Sequence, residues 1–219
     1  MSKNYKLLVF DWDGTLMDSA GHIVDNMLRA IDTLGLPQRS PEQISELIGL
    51  SLQDAFQRLY GDLSAEYANQ LLDQYRNGYI KQSQDTSMLF DGVEDALKHL
   101  GEIGYTLTVA TGKSRVGLER SLKGTGLEQH FIMTRCADES ASKPHPQMLF
   151  DILEHTGFDP ADALMVGDTE YDMQMAAAAG MPALGVDCGV HSRERLFDSG
   201  ALQVLDGVAQ LPQWLTGSR

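Results

Sequence analysis

Short apolar runs alternate with amphipathic stretches along most of the chain. The run Leu7–Phe10 is too short for a helix, and its composition predicts a strand buried on both faces. Comparable strand signals occur at 105–110, near 131–133, and at 163–166, 183–186 and 204–205. Helical patterns separate these runs, an alternation that predicts βαβ units. We therefore expect an α/β fold, a doubly wound parallel sheet or Rossmann-like core with helices on both faces.

Residues 18–83 break this alternation, because no strand-like segment occurs in them. Serines that can cap helices precede four of their segments, at Ser19, Ser40, Ser51 and Ser64. The last helix is predicted to run towards Gln82. We expect residues 18–83 to form a helical domain inserted after the first strand. The α/β core then comprises residues 1–17 and 84–219.

Composition and charge limit the classes of partner. A formal net charge of −14 argues against a nucleic-acid partner, because such binding depends on basic residues. A small anionic substrate is still compatible, since a local cation can dominate inside a cleft. Every apolar stretch is shorter than the roughly 18 residues of a membrane span, and no signal-peptide pattern precedes the first strand. Two cysteines are too few for a disulfide framework or a zinc site. We expect a cytoplasmic protein, and the sequence leaves monomer and homodimer open.

Two carboxylates directly follow the first predicted strand. In an extended segment Asp11 and Asp13 share a side, while Trp12 points into the packing. Close carboxylates repel each other unless a cation or a proton lies between them. Gly14 allows the backbone to turn closely around such a site. The alternative interpretation is a strand end with a capped turn and no chemistry.

Polar residues also follow two later strands. The second predicted strand ends at Thr111 and Gly112, and the fourth ends at Asp168, four residues before Asp172. Ligands of open parallel sheets bind at the carboxyl ends of the strands. Clustered acids and a phosphoryl group need positive charge, which makes Lys143, between polar and proline residues, the candidate cation. Purely structural roles are the alternative: Asp172 could serve only the helix dipole, and Lys143 could be solvated.

Four segments, in this order, resemble the signature of the haloacid dehalogenase superfamily of phosphatases. They are Asp11-x-Asp13-Gly14-Thr15, Thr111, Lys143, and Gly167-Asp168 followed by Asp172. The helical insert looks like the C1-type cap of that superfamily. Within it, the chain looks most like the phosphoglycolate phosphatase group, on the segments 110–113 and 142–146. Trp12 stands where phenylalanine is commoner, which is expected to affect packing more than chemistry.

The resemblance implies a role for each site residue. Asp11 would be the nucleophile that forms an aspartyl-phosphate, and Asp13 would be the general acid and base. Mg²⁺ would bind the Asp11 carboxylate, the Asp13 backbone carbonyl and Asp168, with Asp172 supporting the metal shell or Lys143. Thr111, Gly112 and Lys143 would hold the phosphoryl oxygens.

The expected function is Mg²⁺-dependent hydrolysis of a small anionic phosphorylated metabolite, with phosphoglycolate as the leading substrate. The alternatives are a pyrophosphatase, a nucleoside monophosphate phosphatase and a sugar phosphomutase on the same fold. A receiver-type signalling domain predicts about half this length, no helical insert and a phospho-accepting aspartate on a later strand, and this sequence matches none of the three. The residues of the cap that set specificity follow no pattern that can be transferred.

Overall fold

A computed structural model describes residues 5–61, 64–82 and 89–217. Six strands form one sheet in the order β3-β2-β1-β4-β5-β6, and every neighbouring pair is parallel. The strands are β1 (Leu7–Phe10), β2 (Thr106–Thr111), β3 (Met133–Cys136), β4 (Ala163–Gly167), β5 (Ala183–Val186) and β6 (Val204–Leu205). The predicted parallel α/β fold is confirmed. The winding reverses at β1, which has β2 on one side and β4 on the other.

Ten α-helices occur in the described part of the chain. Four follow β1: α1 (Ala20–Thr33), α2 (Pro41–Ser45), α3 (Leu52–Tyr60) and α4 (Ala65–Gln82). The other six are α5 (Val93–Glu102), α6 (Arg115–Thr125), α7 (Gln147–Thr156), α8 (Glu170–Ala178), α9 (Arg193–Asp198) and α10 (Leu211–Thr216).

The central strand connects the two faces of the core. Leu8 and Phe10 belong to one hydrophobic cluster, and Leu7 and Val9 belong to the other. Helices α5 and α10 contribute to the first cluster, and α7, α8 and α9 contribute to the second. Trp12 is fully buried in the first cluster, as its alternation with the two aspartates predicted. A strand buried on both faces therefore delivers Asp11 to the carboxyl edge of the sheet.

Two local predictions need correction. The third strand begins at Met133, because Ile132 is 60% exposed and the pairing with β2 starts one residue later. The apolar residues at 131–133 precede this edge strand and led to the earlier predicted start, whereas backbone pairing with β2 defines the residues of the strand. Ser19 occupies the N-cap position of α1 without capping it, since its hydroxyl donates to Asp13 instead.

The stretch after β1 is helical in the described residues and has its own core. Helices α1 to α4 pack around a separate apolar cluster that includes Met27, Ile31, Phe56 and Leu71. Ser40 and Ser51 cap α2 and α3 through their side chains, as predicted. The chain leaves and re-enters the sheet region side by side, where Met17 forms an antiparallel bridge with Leu89. The predicted second boundary, at 83/84, lies outside the described residues. No helix in the described ranges has the length and apolarity needed to cross a bilayer.

Candidate active site

The first strand ends in two buried aspartates with different partners. Asp11 continues the sheet by donating its backbone N–H to the Val166 carbonyl at 2.9 Å. One carboxylate oxygen of Asp11, Oδ1, lies 2.7 Å from Nζ of Lys143. Oδ1 of Asp13 instead accepts from the Ser19 hydroxyl at 2.5 Å and lies 2.9 Å from Nζ of Lys113. Both aspartates line the same cavity, so the structure brings the two carboxylates to one site with separate cations.

Asp168 lies beside Asp11, at the end of the neighbouring strand. Its carboxylate accepts from the Thr15 hydroxyl at 2.8 Å and from the Val190 backbone N–H at 3.0 Å. Gly14, at φ +78°, and Gly189 are packed so closely on this carboxylate that a Cβ on either would overlap it. Hydrogen bonds and steric enclosure therefore hold the Asp168 carboxylate in one orientation.

The first turn of α8 provides a third acid. One oxygen of Asp172, Oδ2, accepts from the backbone N–H and the hydroxyl of Thr169, at 3.1 and 2.7 Å. Its other oxygen lies 2.7 Å from Nζ of Lys143. A helix-capping role for Asp172 is thus present together with a role in the charged cluster. The structure also excludes a solvated Lys143, whose side chain is fully buried between Asp11 and Asp172.

Negative charge exceeds positive charge at this end of the sheet. Carboxylate oxygens of Asp11, Asp168 and Asp172 all lie within 4.8 Å of one another, and Lys143 is the ammonium that pairs with two of them. Burial raises the pKa of Asp11 well above its ordinary value, although Lys143 acts in the opposite direction. Burial and the Asp172 charge raise the pKa of Asp168 to about 7. Burial alone would lower the pKa of Lys143, but its two carboxylates raise it above the ordinary value, so that it stays protonated.

The donor set fits a hard divalent cation. Oδ2 of Asp11 is buried and has no hydrogen-bond partner among the described residues. A buried carboxylate oxygen without a donor is costly unless a cation binds it. Oxygen ligands at this spacing suit Mg²⁺, which binds through one or two carboxylates and keeps several waters.

The loop from β2 to α6 forms the opposite wall. Thr111, Gly112, Lys113 and Ser114 line the cavity, and Ser114 caps α6 by accepting from the Gly117 backbone N–H. Lys113, to which no role of its own was assigned from the sequence, pairs with Asp13. Its position two residues beyond Thr111 was the available signal, but only the tertiary structure shows which acid it reaches.

The connection between α2 and α3 covers the site. A Cβ on Gly112 would lie 2.5 Å from the Gly49 carbonyl oxygen and 2.6 Å from that of Leu50. The backbone N–H of Ser51 donates to the Ser142 hydroxyl, next to Lys143, at 2.8 Å. The cavity has a volume of about 390 Å³ and lies between the carboxyl edge of the sheet and helices α1 to α4.

A second set of polar contacts joins the helical stretch to α8. The Tyr171 hydroxyl donates to the Glu46 carbonyl at 2.9 Å and accepts from Arg58 at 3.2 Å. Arg195 bridges the carboxylates of Glu46 and Glu170 at 2.5 and 2.8 Å. The helices therefore contact the site from two sides.

The chain is similar over most of its length to named proteins of one family. A family model described as haloacid dehalogenase-like hydrolase matches residues 8–186. The chain is 36% identical to probable phosphatase IndB of Dickeya dadantii (strain 3937), covering 94% of this chain and 91% of that protein. It is 33% identical to pyrophosphatase PpaX of Bacillus pumilus (strain SAFR-032), covering 87% of each.

Two further comparisons agree with these matches. The chain is 29% identical to a phosphoglycolate phosphatase of Haemophilus influenzae (strain 86-028NP), covering 96% of this chain and 98% of that protein. The crystal structure of a hydrolase from Pseudomonas syringae shares the fold, with a TM-score of 0.90 at 23% identity over 97% of this chain and 99% of the other. The chain belongs to the family of haloacid dehalogenase-like hydrolases.

Proposed function

We propose that the protein is a phosphatase that hydrolyses a phosphate monoester through an aspartyl-phosphate on Asp11. The observation that carries this proposal is the Asp11 carboxylate itself. It is buried at the point where the winding of the sheet reverses, one oxygen pairs with Lys143, and the side chain lines the cavity together with Asp13. A carboxylate held in this way can attack phosphorus while its negative charge is balanced.

The two aspartates divide the chemistry between them. Asp11 forms the bond to phosphorus as the bond between phosphorus and the ester oxygen breaks, and Asp13 donates a proton to that oxygen. A water molecule then attacks phosphorus and Asp13 accepts its proton, while the bond between phosphorus and the Asp11 oxygen breaks, which releases inorganic phosphate and regenerates the Asp11 carboxylate. The contacts of Asp13 with Ser19 and Lys113 orient its carboxylate towards the cavity for both steps.

Several groups would stabilise the negative charge of the phosphoryl group. Lys143 pairs with both Asp11 and Asp172 and balances their negative charge next to the attacking carboxylate. Thr111 and the Gly112 backbone N–H bind the phosphoryl oxygens on the opposite wall. Asp11, Asp168 and the Asp13 backbone carbonyl would hold Mg²⁺, with Asp172 beside them. When bound, the metal neutralises charge on the phosphoryl oxygens.

Residues 18–83 act as a cap over the core formed by 1–17 and 84–219. The separate apolar cluster of α1 to α4 and the adjacent crossings at Met17 and Leu89 support this division. Closing the cap excludes bulk water from the reacting groups. The substrate is a small phosphorylated metabolite. The names of two similar proteins suggest phosphoglycolate or pyrophosphate as candidates for it.

Asparagine variants of the two aspartates test the proposed roles. A nitrophenolate leaves easily without a proton, so Asp13→Asn with 4-nitrophenyl phosphate and Mg²⁺ should release about one nitrophenol per site in a burst, followed by slow turnover. The same variant should fail at the first step with an alkyl phosphate. Asp11→Asn should give neither burst nor turnover, with a loss of at least about 10⁴-fold in kcat.

Rapid-quench kinetics and acid trapping of the phosphoprotein give the readout. Asp18→Asn is the matched control, because this exposed aspartate lies outside the cavity lining. The Asp18→Asn variant should hydrolyse both esters at the rate of the unmodified enzyme. A burst from Asp11→Asn would refute the proposal. So would an Asp13→Asn variant that is equally impaired on both esters and accumulates no phosphoprotein.

A further inference from the structure

Apart from the exposed Arg76, the half of the cavity formed by the helical stretch is lined mainly by apolar side chains. Its lining includes Met27, Ile44, Ile48, Leu50, Leu59 and Tyr75, which lie on or between α1 to α4. Met27, Ile44, Ile48 and Leu50 are all less than 9% exposed. The polar lining residues Asp11, Asp13, Thr111 and Lys113 instead belong to the core side. A phosphate ester that reacts at Asp11 must therefore direct its leaving group towards hydrocarbon.

Buried cations for a second anionic group are scarce in the described lining. Lys113 already pairs with Asp13 at 2.9 Å. Arg76, the charged lining residue contributed by the helical stretch, is exposed, and so is Arg120 on the core side. A buried carboxylate or second phosphate needs a paired cation or several hydrogen-bond donors to offset its desolvation. The lining thus disfavours phosphoglycolate and pyrophosphate.

The size of the cavity also favours a large uncharged leaving group. Its volume of about 390 Å³ falls in the range of about 300–1,000 Å³ for pockets that enclose drug-sized ligands. The glycolate group has only a handful of non-hydrogen atoms and would leave most of this volume to water against apolar side chains. A larger uncharged group would displace that water and gain hydrophobic free energy.

We propose that the substrate is a phosphate monoester whose leaving group is an uncharged, hydrocarbon-rich alcohol that fills the apolar half of the cavity. This inference rests on the proposed phosphatase chemistry and specifies its leaving group. Apolar contacts with α1 to α4 supply the binding free energy, and the acids and Lys143 supply the chemistry. Selectivity therefore increases with the apolar surface of the alcohol until the cavity is full.

A series of straight-chain alkyl phosphates tests the proposal on the unmodified enzyme. Ethyl, butyl and hexyl phosphate differ little in leaving-group chemistry, so that kcat/KM reports mainly how well the alkyl chain is bound. Each buried methylene should raise kcat/KM about threefold to fourfold, which gives about 100-fold between ethyl and hexyl phosphate. Phosphoglycolate, pyrophosphate and uridine monophosphate are measured in parallel with Mg²⁺, and each should fall below hexyl phosphate.

Two variants in one helix connect this selectivity to the cavity. Met27 and Ile31 lie one turn apart on α1 and are both buried in the cluster of the helical stretch, but only Met27 lines the cavity. Met27→Ala should lower the ratio of kcat/KM for hexyl over ethyl phosphate about tenfold, whereas Ile31→Ala should leave it unchanged. Because each ratio is measured on one preparation, a loss of folded protein cancels.

The outcomes separate this inference from the proposed function. If the enzyme hydrolyses 4-nitrophenyl phosphate but kcat/KM for the alkyl phosphates does not depend on chain length, the inference fails and the proposed phosphatase activity stands. A higher kcat/KM for phosphoglycolate, pyrophosphate or uridine monophosphate than for hexyl phosphate would do the same. A ratio of kcat/KM for hexyl over ethyl phosphate that is the same in Met27→Ala as in the unmodified enzyme would also overturn it. If no ester were hydrolysed at all, both the proposed function and the inference would fail.

Discussion

The two halves of the cavity differ in the polarity of their side chains: the core half is charged and the half formed by α1 to α4 is mainly apolar. In the core half, Asp11 lines the cavity, and Asp168, Asp172 and Lys143 are buried beside it with their charges only partly balanced. In the half formed by α1 to α4, aliphatic side chains such as Met27 continue the apolar cluster of the helices into the cavity. The first half is electrostatically costly and geometrically constrained, while the second tolerates any arrangement that stays apolar and of similar volume.

This difference separates chemistry from selectivity. The charged half is held by strand ends, ion pairs and glycines that admit no Cβ, so few substitutions there are compatible with the site. Side chains of the apolar half can change size without affecting the reacting groups.

The largest effect is expected from removing the buried ammonium. Lys143→Met leaves Asp11 and Asp172 without their shared cation, and breaking a buried ion pair in this way costs about 3–5 kcal/mol. We expect a loss of that size in the free energy of unfolding, measured with denaturant at pH 7.5 in EDTA, together with loss of phosphatase activity.

A surface lysine provides the comparison for this measurement. Lys6 also lies 2.7 Å from a carboxylate, that of Asp162, but its side chain is 55% exposed. Lys6→Met should therefore change the free energy of unfolding by no more than about 1 kcal/mol. Equal stabilities for the two variants would mean that the charged half does not depend on Lys143 for its balance.

The charged half could largely be predicted from the sequence. Asp11 and Asp168 directly follow short apolar strands, and the carboxyl ends of neighbouring parallel strands meet at one edge. Local pattern and one topological rule were therefore sufficient to bring them together. The requirement of clustered acids for a cation identified Lys143, although its loop has no periodicity of its own.

What could not be predicted depends on contacts between distant or differently oriented elements. Ser19 matched an N-cap in sequence, yet its hydroxyl binds Asp13, because the chain turns back at Gly14 before α1 begins. Met27 and Ile31 share one apolar stripe on α1, and only the packing of the helices decides that Met27 reaches the cavity. Helical periodicity identifies a buried face but not what that face contacts.

The junction between the two halves should show an intermediate effect. Gly112→Ala places a Cβ against the carbonyl oxygens of Gly49 and Leu50, so that the α2–α3 connection must move away from the site. Because small displacements of positioning groups can be costly, we expect kcat/KM to fall about tenfold or more, with little change in Tm. Gly124→Ala in α6 is the control, since a Cβ there meets nothing within 4 Å. An unchanged kcat/KM in Gly112→Ala would indicate that this contact does not position the cap.

The last effect depends on pH and concerns the excess of negative charge in the core half, and its sign follows from Asp168. Its pKa of about 7 in the folded protein exceeds its ordinary value of 3.8, so the folded state holds this proton at pH values where the unfolded state has lost it. The stabilising contribution of the group is complete below about pH 4 and is lost as the pH rises through about 7, with a slope of at most about 1.4 kcal/mol per pH unit. In EDTA, the Tm of the parent relative to Asp168→Asn should therefore fall between pH 5 and 7.5. Saturating Mg²⁺ should reverse that trend, because the ionised carboxylate then has a cation to bind. A Tm difference that stays constant over this range in EDTA would show that Asp168 titrates normally and that the core half carries no excess charge.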